Sequence, residues 1–388
     1  MVKYKLLLGV GIVLILFFMI CGCEKKSIID NNTESFHEEE EQKIKQEHKK
    51  AEDPVKKKIQ TMTLEEKVGQ LFILGFEGCD DSEIKDLITL NHVGGVILYS
   101  RNITGVEQVK ALTASMQEEN PDKELELFTA VDEEGGRVNR MPEEIENFPS
   151  AREIGEKGDP EFAFTNGNKI GKTIKELGFN MNFAPVLDVD SNPDNPVIGD
   201  RAYSSNVDTV LSMGIETYMG MKKAGVIAVG KHFPGHGDTD IDSHKTTPVI
   251  KKTRNELENM EFIPFKRAIE ADIPAIMVSH LLVSAIDSDN VASVSTLIIN
   301  DILRQEYKFN GLIISDDMAM GGVINYNTME EAVVKNIKAG GDIVIISGDK
   351  DKQRECIEKV IEAVKSGDIP EERLNESLYR IINVKSKM

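Results

Sequence analysis

The fourteen residues from Lys231 to His244, KHFPGHGDTDIDSH, hold three of the chain's seven histidines and three aspartates. Pro234, Gly235 and Gly237 punctuate them, and the apolar run Val226-Ile227-Ala228-Val229 comes just before and reads as a buried strand. Titratable groups placed past the end of a buried strand suit a catalytic loop, and the glycines open backbone angles closed to other residues. Other readings compete. Gly225 to Lys231 imitates a phosphate-binding loop, but the intervening residues are the strand itself and His232 stands where Ser or Thr is required. Asp238, Asp240 and Asp242 alternate as in a calcium loop, yet its sixth and twelfth positions are Ser243 and Val249 instead of Gly and Glu. His232 and His236 have the spacing of a helical zinc pair, which Pro234 and Gly235 forbid. A solvated surface loop stays open as the plain alternative. The remaining chemistry is proton transfer. Asp242 and His244 are two apart, so in extended chain their side chains point the same way. A carboxylate beside an imidazole orients the ring, fixes its tautomer and raises its proton affinity, which makes a proton donor near neutral pH.

Such a loop needs a scaffold, and the chain supplies a repeating one. Eight apolar segments are predicted as strands: 71–76, 95–99, 127–131, 179–186, 226–229, 275–279, 311–315 and 342–346. Helical patterns alternate with them at 82–90, 106–119, 162–177, 207–223, 255–270, 297–307, 329–338 and from about 350 to the end. Thr63-Leu64-Glu65-Glu66 reads as a reciprocal helix cap. Strands alternating with helices imply a parallel sheet, and eight units close into a (β/α)8 TIM-type barrel, with an open doubly wound sheet as the alternative. Asp132, Asp188, Lys231, His232, His280 and Asp316 all fall at or just past the carboxyl ends of predicted strands, the face on which barrel active sites form. His280 reads as a satisfied core histidine more readily than as a wall of the site. Asp316, at the predicted barrel mouth, suits a nucleophile, or else a helix cap or a partner for Lys231. Its neighbour Asp317 points away and reads as structural, and His236 reads as shaping the loop.

The ends and the charge bound the rest. The 388 residues carry a net charge of −20, which leaves no excess of cations for nucleic acid phosphates. Lys3 and Lys5 precede the apolar run Leu6 to Ile20, followed by Cys21-Gly22-Cys23, the pattern of a secretory signal. Its end resembles a bacterial lipoprotein box, which implies cleavage after Gly22 and a lipid on Cys23; an uncleaved anchor is the alternative. Either way the domain is expected outside the cytoplasm, and with lipid on the outer face of the cell membrane. Residues 23–53 are charged and poor in apolar side chains, and are expected to form a disordered tether, with 54–388 as the folded domain. Cys79 and Cys356 do not make a disulfide framework, and whether they pair depends on whether the first and last strands are neighbours.

Taken together, Lys231-His232-Phe233-Pro234-Gly235-His236-Gly237 with Asp242-Ser243-His244 resembles the signature of the bacterial β-N-acetylglucosaminidases of glycoside hydrolase family 3. Asp132-Glu133-Glu134-Gly135-Gly136-Arg137-Val138 and Ile198-Gly199-Asp200-Arg201 are similar to its sugar-binding segments, and Ser315-Asp316-Asp317-Met318 to its nucleophile segment. The resemblance runs from about Val55 to the C-terminus in the family's order. It implies Asp316 as nucleophile, His244 as acid/base with Asp242 as its partner, and Asp132, Arg140, Arg201, Lys231 and His232 as the groups that hold N-acetylglucosamine. It implies no metal and no organic cofactor. Glu133 departs from the family, where many relatives carry glutamine, with little consequence expected.

The activity implied is retaining, exo-acting removal of β-linked N-acetylglucosamine from cell-wall (peptidoglycan or muropeptide) fragments. A histidine acid repels an incoming anion less than a carboxylate does, so phosphate is an expected alternative acceptor. The competing functions are a β-glucosidase or β-xylosidase of the same family and a sugar-binding lipoprotein without turnover.

Overall fold

A computed structural model describes residues 53–239, 247–324 and 327–388. The unit Val55–Met388 carries everything described below. Its strands are β1 (Phe72–Gly75), β2 (Gly95–Leu98), β3 (Phe128–Val131), β4 (Met181–Asn182), β5 (Ile227–Phe233), β6 (Val249–Ile250), β7 (Ala275–Val278), β8 (Leu282–Val283), β9 (Leu312–Asp317) and β10 (Ile343–Ile346). Eight of these close into a barrel in the order β1-β10-β9-β7-β5-β4-β3-β2. Every pairing is parallel, and Phe72 against Val344 closes the ring. This is the expected (β/α)8 barrel. Its strands read as unbroken apolar runs because the barrel interior covers one face and helices the other, and β1, β2, β3, β7 and β10 are buried throughout.

The departures from the predicted elements have local causes. The fourth strand is two residues long, because Pro185 has no N–H to continue the ladder. Its continuation still leans on β5: Val229 donates to the Ala184 carbonyl at 3.0 Å and Lys231 to that of Pro185 at 3.1 Å. The fifth strand outruns its prediction and carries Lys231, His232 and Phe233 within it, so the loop starts later than expected. The helix predicted over 255–270 is two, Arg254–Glu258 and Phe262–Glu270. Pro264 sits in the first turn of the second, where a missing N–H costs nothing, and inside one continuous helix its ring would meet the carbonyl four residues back. β6 and β8 pair as a separate parallel ribbon, too short to show an alternating pattern in the sequence.

Thr63 and Glu66 form the expected reciprocal cap, Glu66 N–H to Thr63 Oγ1 at 3.2 Å and Thr63 N–H to Glu66 Oε2 at 2.7 Å. β1 and β10 are neighbours, yet Cys79 is an exposed free thiol and Cys356 a buried one. Among the described residues no helix is long and apolar enough to cross a membrane.

Candidate active site

The carboxyl end of β3 turns through Asp132, Glu133, Glu134, Gly135 and Gly136. Gly135 and Gly136 both take positive φ, 81° and 57°. A Cβ on Gly135 would lie 2.3 Å from the Pro149 carbonyl oxygen, so neither conformation nor space admits another residue. The turn brings Asp132 and Glu134 to the same side. Between them stands Lys231 of β5, 2.5 Å from Asp132 Oδ1 and 2.7 Å from Glu134 Oε1, with only 2% of its side chain exposed. Arg201 closes on Glu134 as a fork, Nε to Oε2 and Nη2 to Oε1, both at 2.8 Å. Burial alone would raise the Glu134 pKa, but Arg201 and Lys231 overcome it and hold the carboxyl well below the usual carboxylate range. Glu134 is therefore a fixed anion that aims two fixed cations.

His232 follows Lys231 on β5 and is aimed by Asp188, which lies beyond β4. Its Nδ1 is 2.7 Å from Asp188 Oδ2, while its Nε2 lies 3.3 Å from Arg201 Nη2. A guanidinium has only donors, so this contact needs Nε2 as acceptor and Nδ1–H as the donor to Asp188. The Asp188 carboxylate also takes the His236 backbone N–H at 2.6 Å. Burial works against its charge, yet His232 and His236 outweigh it and lower its pKa. His236 lies beside this pair; burial first, and then His232, push its pKa down to about 4, so it is neutral at neutral pH.

The opposite wall is the end of β9. Asp316 Oδ1 accepts the Asp317 N–H at 2.9 Å. The Asp317 carboxylate takes the N–H groups of Ala319 and Ser347, both at 3.0 Å, the Ser347 hydroxyl, and the Tyr99 hydroxyl at 3.2 Å. Asp317 thus ties β9 to the ends of β2 and β10, as the structural reading of it expected. Burial, and then Asp317 and Asp132, raise the Tyr99 pKa well above that of a free phenol, which keeps it a donor. His280 is the satisfied core histidine expected of it, fully buried between the Ser293 hydroxyl at 2.7 Å and the Asp317 carbonyl at 2.9 Å.

Asp132, Arg140, Arg201, Lys231, His232 and Asp316 line one cavity of about 490 Å³ at the carboxyl ends of the strands. A larger cavity, about 1370 Å³, lies at the strand starts, but its lysines Lys56, Lys222, Lys308 and Lys387 are exposed. Buried, mutually oriented charge marks the smaller one as the site. Asp242, His244 and Cys23 lie outside the described residues. Sequence reasoning gave no role to Glu134, Asp188, Tyr99 or Ser347. Glu134 carried a signal, since it stands two residues from Asp132; the contacts of Tyr99 and Ser347 come from strands far apart in sequence. Among the described residues no cluster of three or more His, Cys, Asp or Glu has metal-holding geometry.

Residues 63–384 match the model of the glycosyl hydrolase family 3 N-terminal domain. The chain belongs to glycoside hydrolase family 3. Several of the relatives it matches are named β-hexosaminidase. One from Nitrosomonas eutropha is 35% identical over 280 residues, covering 70% of this chain and 79% of the relative. β-Hexosaminidase A of Pseudoalteromonas piscicida is 32% identical over 331 residues, 79% of this chain but 55% of that protein. Among solved structures, a family 3 β-N-acetylglucosaminidase from Paenibacillus sp. superposes with a TM-score of 0.82 at 36% identity, over 84% of this chain and 63% of its own. The chain thus spans little more than half of one family 3 relative and most of another.

Proposed function

We propose that this chain is a retaining β-N-acetylhexosaminidase that removes non-reducing terminal N-acetylglucosamine. The observation that carries the reading is Asp316: its carboxylate opens on the same cavity as Asp132, Arg140, Lys231, Arg201 and His232. These donors and acceptors suit the hydroxyls and acetamido group of one sugar, and about 490 Å³ is ample room for it. Asp316 attacks the anomeric carbon, and the glycosidic oxygen leaves with a proton from His244, whose ring Asp242 orients. Water then gives its proton to His244 and displaces Asp316, so the sugar departs in its original β configuration. Relatives named β-hexosaminidase support the sugar class.

The natural substrate in this reading is a cell-wall fragment, met on the outer face of the membrane to which a lipid on Cys23 tethers the enzyme. The signal-like residues 1–23 support that address. Phosphate is the alternative acceptor, and a sugar 1-phosphate formed in phosphate buffer is its product.

The test is mass spectrometry of the mature protein after reaction with a mechanism-based 5-fluoro N-acetylglucosaminyl fluoride, which keeps the acetamido group at C2. The expected adduct sits on the peptide bearing Asp316, and the N-terminal peptide carries a lipid on Cys23. Label on another residue contradicts the nucleophile. Turnover of aryl glucoside in preference to aryl N-acetylglucosaminide contradicts the sugar class.

A further inference from the structure

Glu133 lies between two residues of the site wall, Asp132 and Glu134, yet is itself fully buried. Its backbone is clamped by Asn182 of β4, whose Oδ1 accepts the Glu133 N–H and whose Nδ2 donates to the Glu133 carbonyl, both at 2.9 Å. Its side chain turns back under its own segment. Oε2 accepts the Arg140 backbone N–H at 2.7 Å, and Oε1 the Gly135 N–H at 3.2 Å. The carboxylate therefore closes both ends of the arch 135–140, and that arch carries Arg140 to the cavity. Two N–H donors facing two oxygens suit the ionised group best. A glutamine turns its NH2 toward one of the donors, and a protonated carboxyl offers that donor only its weakly accepting hydroxyl oxygen.

We propose that Glu133 is a positioning residue that works through its proton: ionised, it clamps the arch and holds Arg140 for the substrate, and protonated, it releases one end of the clamp. This rests on the glycosidase reading above and adds a pH control to the same site. The charged groups around Glu133 are few. Arg140 and Glu134 come from its own segment, and beyond Glu134 stand Lys231 of β5 and Arg201. The other packed element, β4, offers the neutral amide of Asn182. Burial therefore dominates and raises the pKa to about 7, against the lowering by the two N–H groups and Arg140. Because the pKa is raised, the ionised clamp is absent in acid and is gained as pH climbs through neutrality.

The experiment is KM for 4-nitrophenyl N-acetylglucosaminide between pH 5.5 and 8.5. KM of the native enzyme should fall by about three- to tenfold as pH rises through 7, the worth of one hydrogen bond. Glu133→Gln should hold KM near its acid-side value at every pH. A Glu133→Gln enzyme that keeps the native KM profile overturns the proposal. Should that variant not fold, NMR of the native protein decides: the Arg140 and Gly135 amide shifts should titrate with a glutamate carboxyl carbon near pH 7, and amides that stay still overturn it. A chain that releases no nitrophenol at any pH removes the glycosidase reading and leaves the amide titration as the measure of the clamp.

Discussion

The barrel carries a buried charge cluster at each end. At the strand starts, Asp342 is fully buried and receives Arg304, Arg373 at 3.2 Å, Arg380 at 3.1 Å, the Ser377 hydroxyl at 2.8 Å and the Ile313 N–H at 2.9 Å. At the strand ends, Glu134 receives Lys231 and both arms of Arg201. In both, burial opposes the carboxylate and neighbouring cations overcome it, so the pKa falls. The two differ in what the cations face. Arg304 is turned inward against the Phe309 and Gly311 carbonyls, and burial together with Arg380 and Arg373 pushes its pKa down to about 10. Lys231 and Arg201 border a cavity that also holds Asp316. A perturbed carboxylate thus marks strut and site alike, and open volume with a second reactive group beside it separates them.

The contrast is sharpest at the proposed nucleophile. Asp316→Asn should lower kcat by about 10⁴-fold or more, the usual scale for removing a covalent catalyst, with folding intact. No substitution in the lower cluster should approach that loss in a protein that still folds. His244→Ala comes next, with a loss of about 10² to 10⁴ on natural glycosides, the worth of general acid catalysis. On an aryl glycoside, whose leaving group needs little protonation, the first step should suffer far less. Equal losses on both substrates would remove His244 as the acid.

A matched pair of variants then tests strut against site. Asp342→Ala leaves Arg304, Arg373 and Arg380 without their shared anion and should cost about 3–5 kcal/mol of stability in denaturant titration, with KM unchanged. Lys231→Met takes the buried cation from Asp132 and leaves Glu134 with Arg201 alone; it should cost a similar amount, but here KM should also rise by about 10- to 100-fold. If both variants change KM alike, the distinction between the two ends fails. Asp188→Asn is gentler. It still offers one oxygen to His232 Nδ1–H but no longer an anion shared with the His236 N–H, so KM should rise about tenfold at constant stability of the barrel.

Most of the barrel was legible because each strand is buried on both faces and so reads as an apolar run between helical periods. The boundaries failed where one residue overrode the pattern: Pro185 ended β4 and Pro264 divided the helix predicted over 255–270. On the site, the residues at strand ends, Asp132, Lys231, His232 and Asp316, were readable because a polar group after a buried run stands out. Asp188 was readable as a position but not as the group that fixes the His232 tautomer, since that contact spans 44 residues. The Glu133 carboxylate, expected to matter little, gave no sign of being buried, because a strand-end acid looks the same in sequence whether it faces the mouth or folds beneath it.

Lys385 offers the finest version of the comparison, because it meets burial by another route. It is 5% exposed near the strand starts, and donates to Gln70 Oε1 and the Gly94 carbonyl, both at 2.8 Å. Burial pushes its pKa down to about 7, and Asp122 and Glu126 restore little of it. A neutral amine has two N–H groups, and two acceptors are what the pocket supplies. The folded pKa thus lies below that of the unfolded chain, about 10.4. Between the two values the unfolded chain binds more protons, so this group adds stability as pH rises from about 7 toward 10; below 7 both states are protonated and the full cost of burying the charge remains. The stability of the native protein minus that of Lys385→Met should therefore climb across that window, by up to about 1.4 kcal/mol per pH unit. A flat difference would mean that the Phe128 ring, 4.7 Å from Nζ, together with the two neutral acceptors holds Lys385 as a cation throughout.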